Sequence, residues 1–95
     1  IVSIKVNGSM KEQPLYVYPN PVRSTLNLNF DAEYNENGKL RIINMQGKTI
    51  LIKPVSIVTG NNNLQINNLD VLSKGTYILE LSTDQIRKST RIIKQ

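Results

Sequence analysis

The 95 residues contain no cysteine, no histidine and no tryptophan. Without cysteine there is no disulfide, no thiolate nucleophile and no cysteine-held zinc. That absence leaves the compartment open, since exported proteins without disulfides are common. Without histidine, no serine here can be activated by an imidazole. Aromatics are scarce: Tyr16, Tyr18, Phe30, Tyr34 and Tyr77. No apolar run approaches the ~18 residues of a membrane-spanning helix. No glycine-rich phosphate cradle occurs. No stretch of ten or more residues carries the 3.6-residue apolar period of an amphipathic helix.

What is present reads as one small domain built from strands. The clearest stretch is Lys74-Gly75-Thr76-Tyr77-Ile78-Leu79-Glu80-Leu81. Gly75 can turn the chain with a positive φ. The β-branched and aromatic residues that follow suit a pleated surface. Tyr77, Leu79 and Leu81 share one face, because strand side chains alternate. This strand is expected at the centre of its sheet.

The rest of the chain falls into short runs. Ile1–Val6 alternates like a strand, and Asn7-Gly8 signals a turn. Asn7-Gly8-Ser9 also matches a glycosylation sequon, though Asn-Gly is a turn signal in its own right. Residues 1–14 read as a linker or the tail of a preceding domain, and 15–95 as the domain proper. The start at Ile1, with no Met and no signal pattern, reads as a piece of a longer protein. In Leu15–Val22 the two prolines cannot donate to a sheet ladder, which places the segment at an edge. Thr25–Phe30 is a strand with Leu26, Leu28 and Phe30 inward. Asp31–Gly38 is polar and reads as a loop. Lys39–Asn44 and Thr49–Lys53, joined by Met45-Gln46-Gly47-Lys48, form a hairpin. Pro54 should end the second strand, leaving Val55–Val58 as a short edge strand. Gly60–Asn63 reads as a loop and Leu64–Ile66 as a strand. Asn68–Lys74 is a long turn that tucks Leu69 and Leu72 beneath the sheet. After a turn at Ser82–Asp84, Ile86–Lys94 is the last strand. Strands every 8–12 residues or so predict an all-β, immunoglobulin-like antiparallel sandwich of about seven or eight short strands. A small barrel is the competing architecture.

The charge pattern narrows the function. Net charge is +5, which permits an anionic partner without selecting one. Arg87, Lys88, Arg91 and Lys94 crowd the last strand. Lys88 and Lys94 share one parity, and Arg87 and Arg91 the other, so they form no single stripe. No aromatic is interleaved for base stacking, which argues against nucleic acid. A charged edge that resists sheet-to-sheet pairing accounts for them as simply. The acids offer no catalytic pair: six of seven fall in expected loops or linker, and Glu80 lies on the outer face of its strand. Asp31, Glu33 and Glu36 lack the dense oxygen spacing of a calcium loop. No enzyme activity, cofactor or metal is expected.

Five elements, in order, resemble a known family. They are Tyr18-Pro19-Asn20-Pro21, then Thr25-Leu26-Asn27-Leu28, then Ile42-Ile43-Asn44-Met45-Gln46-Gly47-Lys48. Leu69 with Gly75-Thr76-Tyr77-Ile78-Leu79 is the fourth, and Arg91-Ile92-Ile93-Lys94 the fifth. Together they resemble the type A C-terminal sorting domain of the type IX secretion system of Bacteroidetes, over residues 15–95. The one departure is Gln95 after the final lysine.

The resemblance implies a secretion signal. The parent would pass through the periplasm, and outer-membrane type IX machinery would read this domain. A sortase-like peptidase would then remove it, cutting in the polar stretch Ser9–Pro14. The N-terminal cargo would end on the cell surface, joined to an anionic lipopolysaccharide, or be released outside the cell. Recognition falls to Tyr18, Pro19, Asn20, Pro21, Arg91, Ile92, Ile93 and Lys94. Gly47, Lys48, Leu69, Gly75 and Tyr77 would keep the fold. On physical grounds, an edge strand at Ile86–Lys94 could be extended by a partner strand, or pair two copies. The competing reading is an accessory sandwich of a secreted enzyme that binds carbohydrate or packs beside a catalytic domain.

Overall fold

The computed structural model describes residues 15–95. The strand expected at Ile1–Val6, the sequon and the cleavage stretch lie outside them. Seven strands follow one another: β1 (Tyr16–Tyr18), β2 (Leu26–Ala32), β3 (Glu36–Asn44), β4 (Thr49–Ile57), β5 (Gly60–Ile66), β6 (Gly75–Ser82) and β7 (Arg87–Lys94). A single 3₁₀ turn, Leu69–Val71, lies between β5 and β6. One sheet has the order β1-β2-β5 and the other β4-β3-β6-β7, with every ladder antiparallel. Constant-type immunoglobulin domains set strands ABED against CFG. Here the fourth strand pairs with the third instead, so the arrangement is ABE against C′CFG. The all-β immunoglobulin-like sandwich expected from the sequence is what forms.

Alternation builds the core. Leu26, Leu28 and Phe30 of β2 are buried, as are Leu40 and Ile42 of β3 and Tyr77, Leu79 and Leu81 of β6. Ile57, Ile66 and Ile92 complete the layer between the sheets. β6 is central, flanked by β3 and β7. Leu69 is fully buried and Leu72 packs against the core, so the long turn does tuck under the sheet.

Three expected loops or breaks are strand instead. Asp31–Gly38 shrinks to a short corner, because Asp31 and Ala32 pair with Asn61 and Gly60 while Glu36–Gly38 pair with β4. Gly60–Asn63 opens β5 for the same reason. Pro54 does not split β4; it pairs opposite Lys39 in one continuous strand. β4 is an edge strand, where a missing N–H costs little. Polar composition misled in the first two cases: ladder pairing across a whole sheet outweighed the low strand propensity of asparagine and glycine.

Gly38 has a steric reason to be glycine. A Cβ there would lie 2.8 Å from the Ser82 carbonyl oxygen and 2.8 Å from Thr83 Cγ2. Gly38→Ala is therefore expected to destabilise the domain by about 1–3 kcal/mol, as overpacking does. Urea unfolding of the variant checks this; an unchanged midpoint would mean that the β3–β6 corner is looser than it looks.

Candidate functional site

The two segments expected to carry recognition lie at opposite ends of the domain sequence and meet in space. Residues 19–22 leave β1 and run along the outer flank of β7. The Asn20 amide acts as a surrogate peptide group: its Oδ1 accepts from Ile93 N–H (2.9 Å) and its Nδ2 donates to the Arg91 carbonyl (3.2 Å). Val22 extends the pairing, donating its N–H to the Ile93 carbonyl (2.7 Å) and accepting from Gln95 N–H (2.9 Å). A short parallel bridge, Val22 to Lys94, results. Proline at 19 and 21 has no N–H to give, so the donors come from the Asn20 side chain and Val22. Tyr18–Pro19 and Asn20–Pro21 are both cis peptides.

This clasp changes the expectation for the last strand. β7 is an edge strand, paired in a ladder to β6 alone. Its outward backbone groups at Arg91, Ile93 and Gln95 are nevertheless taken by Asn20 and Val22. The stretch 91–94 is thus not the bare edge that strand addition requires. Among the described residues, the backbone bonds of the clasp stop at Arg91, which leaves the flank at Arg87–Ser89 uncovered by it.

The side chains of the recognition segments divide by parity. Tyr18, Pro19, Asn20, Pro21, Arg91 and Ile93 are exposed; Ile92 and Lys94 are buried. The sequence had put all four basic residues of β7 on a solvated edge, and for Lys88 and Lys94 that is corrected. Lys88 is 1% exposed, with Nζ donating to the Asp31 carbonyl (3.2 Å) and lying 5.2 Å from the centre of the Phe30 ring. Lys94 Nζ donates to the Gln95 carbonyl (2.7 Å). Their long apolar stems let them fill inward positions while the charged heads find oxygen.

Burial pushes the Lys88 ammonium below its ordinary 10.5, against the opposing pull of Asp31. The unfolded chain then holds that proton more tightly than the folded one, so stability must rise with pH up to about 10.5. We expect the wild type to gain on Lys88→Met between pH 7 and about pH 10 in thermal unfolding midpoints. A constant gap would mean that the ammonium is well solvated.

The expected structural residues hold turns and corners. Asn44 caps the β3–β4 turn: its Oδ1 accepts from the N–H groups of Gln46 and Lys48, and its carbonyl from Gly47, which has φ +88°. Gly75 has φ +149° at the start of β6, as the turn-then-strand reading required. Two residues on, the Tyr77 hydroxyl donates to the Ser73 carbonyl (2.6 Å). A tyrosine near the start of the sixth strand, bonded back across the preceding corner, is the tyrosine corner of immunoglobulin-like sandwiches. The Gly-x-Tyr element of the sequence thus supplies both the turn and the bond across the corner.

Outside the clasp, the ion pairs among the described residues gather on Glu80. Glu80 sits on the outer face of β6, 2.7 Å from Arg41 and 3.8 Å from Arg87. No cluster of three or more acids able to hold a metal occurs among the described residues. No helix among them is long and apolar enough to cross a membrane.

The profile of the secretion system C-terminal sorting domain family matches residues 16–95. The chain belongs to this family. The matched span opens in β1 and closes one residue past β7, so the sorting domain and the sandwich coincide. No curated protein matches the chain significantly. A type IX sorting domain is a secretion tag, and membership implies export across the outer membrane to the cell surface or beyond. It also implies contact with the type IX machinery and a cargo in the same chain. Sequence reasoning found both ends of the clasp but not the bonds between them. The visible signal was an asparagine set between two prolines, where a backbone donor is missing on either side.

Proposed function

We propose that the type IX machinery reads the clasp as one composite surface, made of Tyr18–Pro21 and Arg91–Lys94. The observation that supports this is the Asn20 amide, which bonds to backbone on both sides of Ile92. Tyr18, Asn20, Pro21, Arg91 and Ile93 present the surface; Ile92 and Lys94 hold it from beneath. Residues 1–14 serve as the linker to the cargo. A sortase-like peptidase cuts in Ser9–Pro14, and the cargo is anchored to an anionic lipopolysaccharide or released. The domain itself does no chemistry; it is a ligand first and a substrate afterwards.

The experiment is deletion of Arg91–Gln95 from the parent, with the cell-surface and periplasmic fractions compared. Accumulation in the periplasm supports the reading, and normal surface display overturns it.

A further inference from the structure

The outer face of the three-stranded sheet has a composition that neither the core nor the clasp requires. Its outward residues are Tyr16 and Tyr18 on β1, Asn27, Asn29 and Asp31 on β2, and Asn61, Asn63 and Gln65 on β5. Asparagine is a poor strand former, and surface strands are ordinarily kept soluble by charge, lysine above all. None of the chain's 12 lysines and arginines is among these residues. The face is rich in amides, with one acid and no base, on a protein of net charge +5.

Register orders them. Tyr18 stands opposite Asn27, and Asn27 opposite Gln65; Tyr16 stands opposite Asn29, and Asn29 opposite Asn63. Residues directly opposite project from the same face. Two rows therefore cross the sheet, each with an exposed tyrosine followed by two amides. The tyrosines are 61% and 53% exposed. The rows lie about 7 Å apart, two residues along a strand, a spacing on the scale of one sugar ring.

The amides are held in place by each other. Gln65 Nε2 donates to Asn27 Oδ1 (3.0 Å), and Asn29 Nδ2 donates to Asn63 Oδ1 (2.6 Å). Asn61 Nδ2 donates to Asn29 Oδ1 (3.1 Å) and Asp31 Oδ1 (3.0 Å), which ties down the one acid. A primary amide has two N–H donors: Asn29 and Asn61 spend both inside the ladder, whereas Asn27, Asn63 and Gln65 each donate once and keep an N–H for a ligand. Fixing such groups in advance lowers the entropy lost on binding. A depression in the face gathers Tyr18, Asn27, Asn63, Gln65, Asn67 and Lys53. Lys53 reaches in from β4, its ammonium donating to the Gln65 carbonyl (2.7 Å).

We propose that this face is a binding platform for a neutral glycan. Tyrosine rings offer flat apolar surface to the C–H faces of sugar rings, and the amide rows donate to and accept from hydroxyls. With Asp31 on the face and no lysine or arginine among its outward residues, sulfated and phosphorylated glycans are disfavoured. The site is separate from the composite surface proposed for sorting, although Tyr18 borders both.

The test titrates the whole 95-residue chain with neutral hexasaccharides of glucose, mannose, xylose and N-acetylglucosamine, and with a sulfated heparin hexasaccharide. At least one neutral hexasaccharide should bind. Tyr16→Ala and Asn63→Ala, both outside the Pro-Asn-Pro segment, should each weaken it roughly fivefold or more, the equivalent of a lost hydrogen bond. Ile52→Ala, on the opposite outer face, should leave affinity unchanged. Thermal melts keep loss of fold apart from loss of binding. No neutral binding at millimolar concentration overturns the proposal, as does binding indifferent to both variants or binding to heparin alone. Export of the same variants in the parent should stay normal, so failure here leaves the sorting reading intact.

Discussion

Removing Arg91–Gln95 is expected to hold the exported parent in the periplasm, through two separable effects. The first is loss of the displayed residues Arg91 and Ile93. The second is loss of structure. Ile92 is fully buried, and its removal empties a core position, a change that costs about 2–5 kcal/mol when a buried isoleucine is cut to alanine. The four clasp bonds also disappear, each worth about 0.5–1.5 kcal/mol net. Point variants separate the effects. Arg91→Ala and Ile93→Asp alter exposed side chains and should keep a wild-type melting curve while surface display falls. Asn20→Ala removes both side-chain bonds and leaves the Val22 bridge, so it should lower stability modestly and export further. Normal surface display of the deletion, or of all three point variants, measured by protease accessibility on whole cells, would end the composite-surface reading.

Phe30→Ala should be the most damaging single substitution. Phe30 is 1% exposed on the inner face of β2. Its ring also lies beneath the Lys88 ammonium, 5.2 Å away. Truncation to alanine opens a cavity worth about 3–5 kcal/mol, out of a total of about 5–15 kcal/mol for a domain of this kind. It also strips a cation–π partner from a buried charge, worth about 2 kcal/mol or more where desolvated. Phe30→Leu keeps most of the volume and should lose much less. Chemical denaturation of the two variants checks the difference. A loss below about 1 kcal/mol for alanine would place the ring outside the packed centre.

The sequence made the strands with hydrophobic alternation easy to find. Leu26-Asn27-Leu28-Asn29-Phe30 and Tyr77-Ile78-Leu79-Glu80-Leu81 announce an inner and an outer face, and both are where expected. Where strands carry asparagine or glycine on both faces, as at Gly60–Asn63, local pattern is silent and partner strands decide. Asn62 shows why: it is buried, and its amide donates to the Val58 and Gly60 carbonyls while its oxygen accepts from Val58 N–H. A polar residue that satisfies its own corner looks like a loop residue from sequence alone. Lys88 and Lys94 hid in the opposite way, since a lysine in a strand reads as surface until its stem is seen lying on a ring or at a strand end. For the candidate site, the two segments were legible as motifs. Their meeting was not, because nothing local links Asn20 to Ile93.

The bonds from Asn20 to β7 span 71 and 73 residues of sequence. Such a closure cannot form on a copy that stops short of Arg91. If the composite surface proposed above is what the transporter grips, such a copy offers no rim, and the fold itself then vets each tag for an intact final strand.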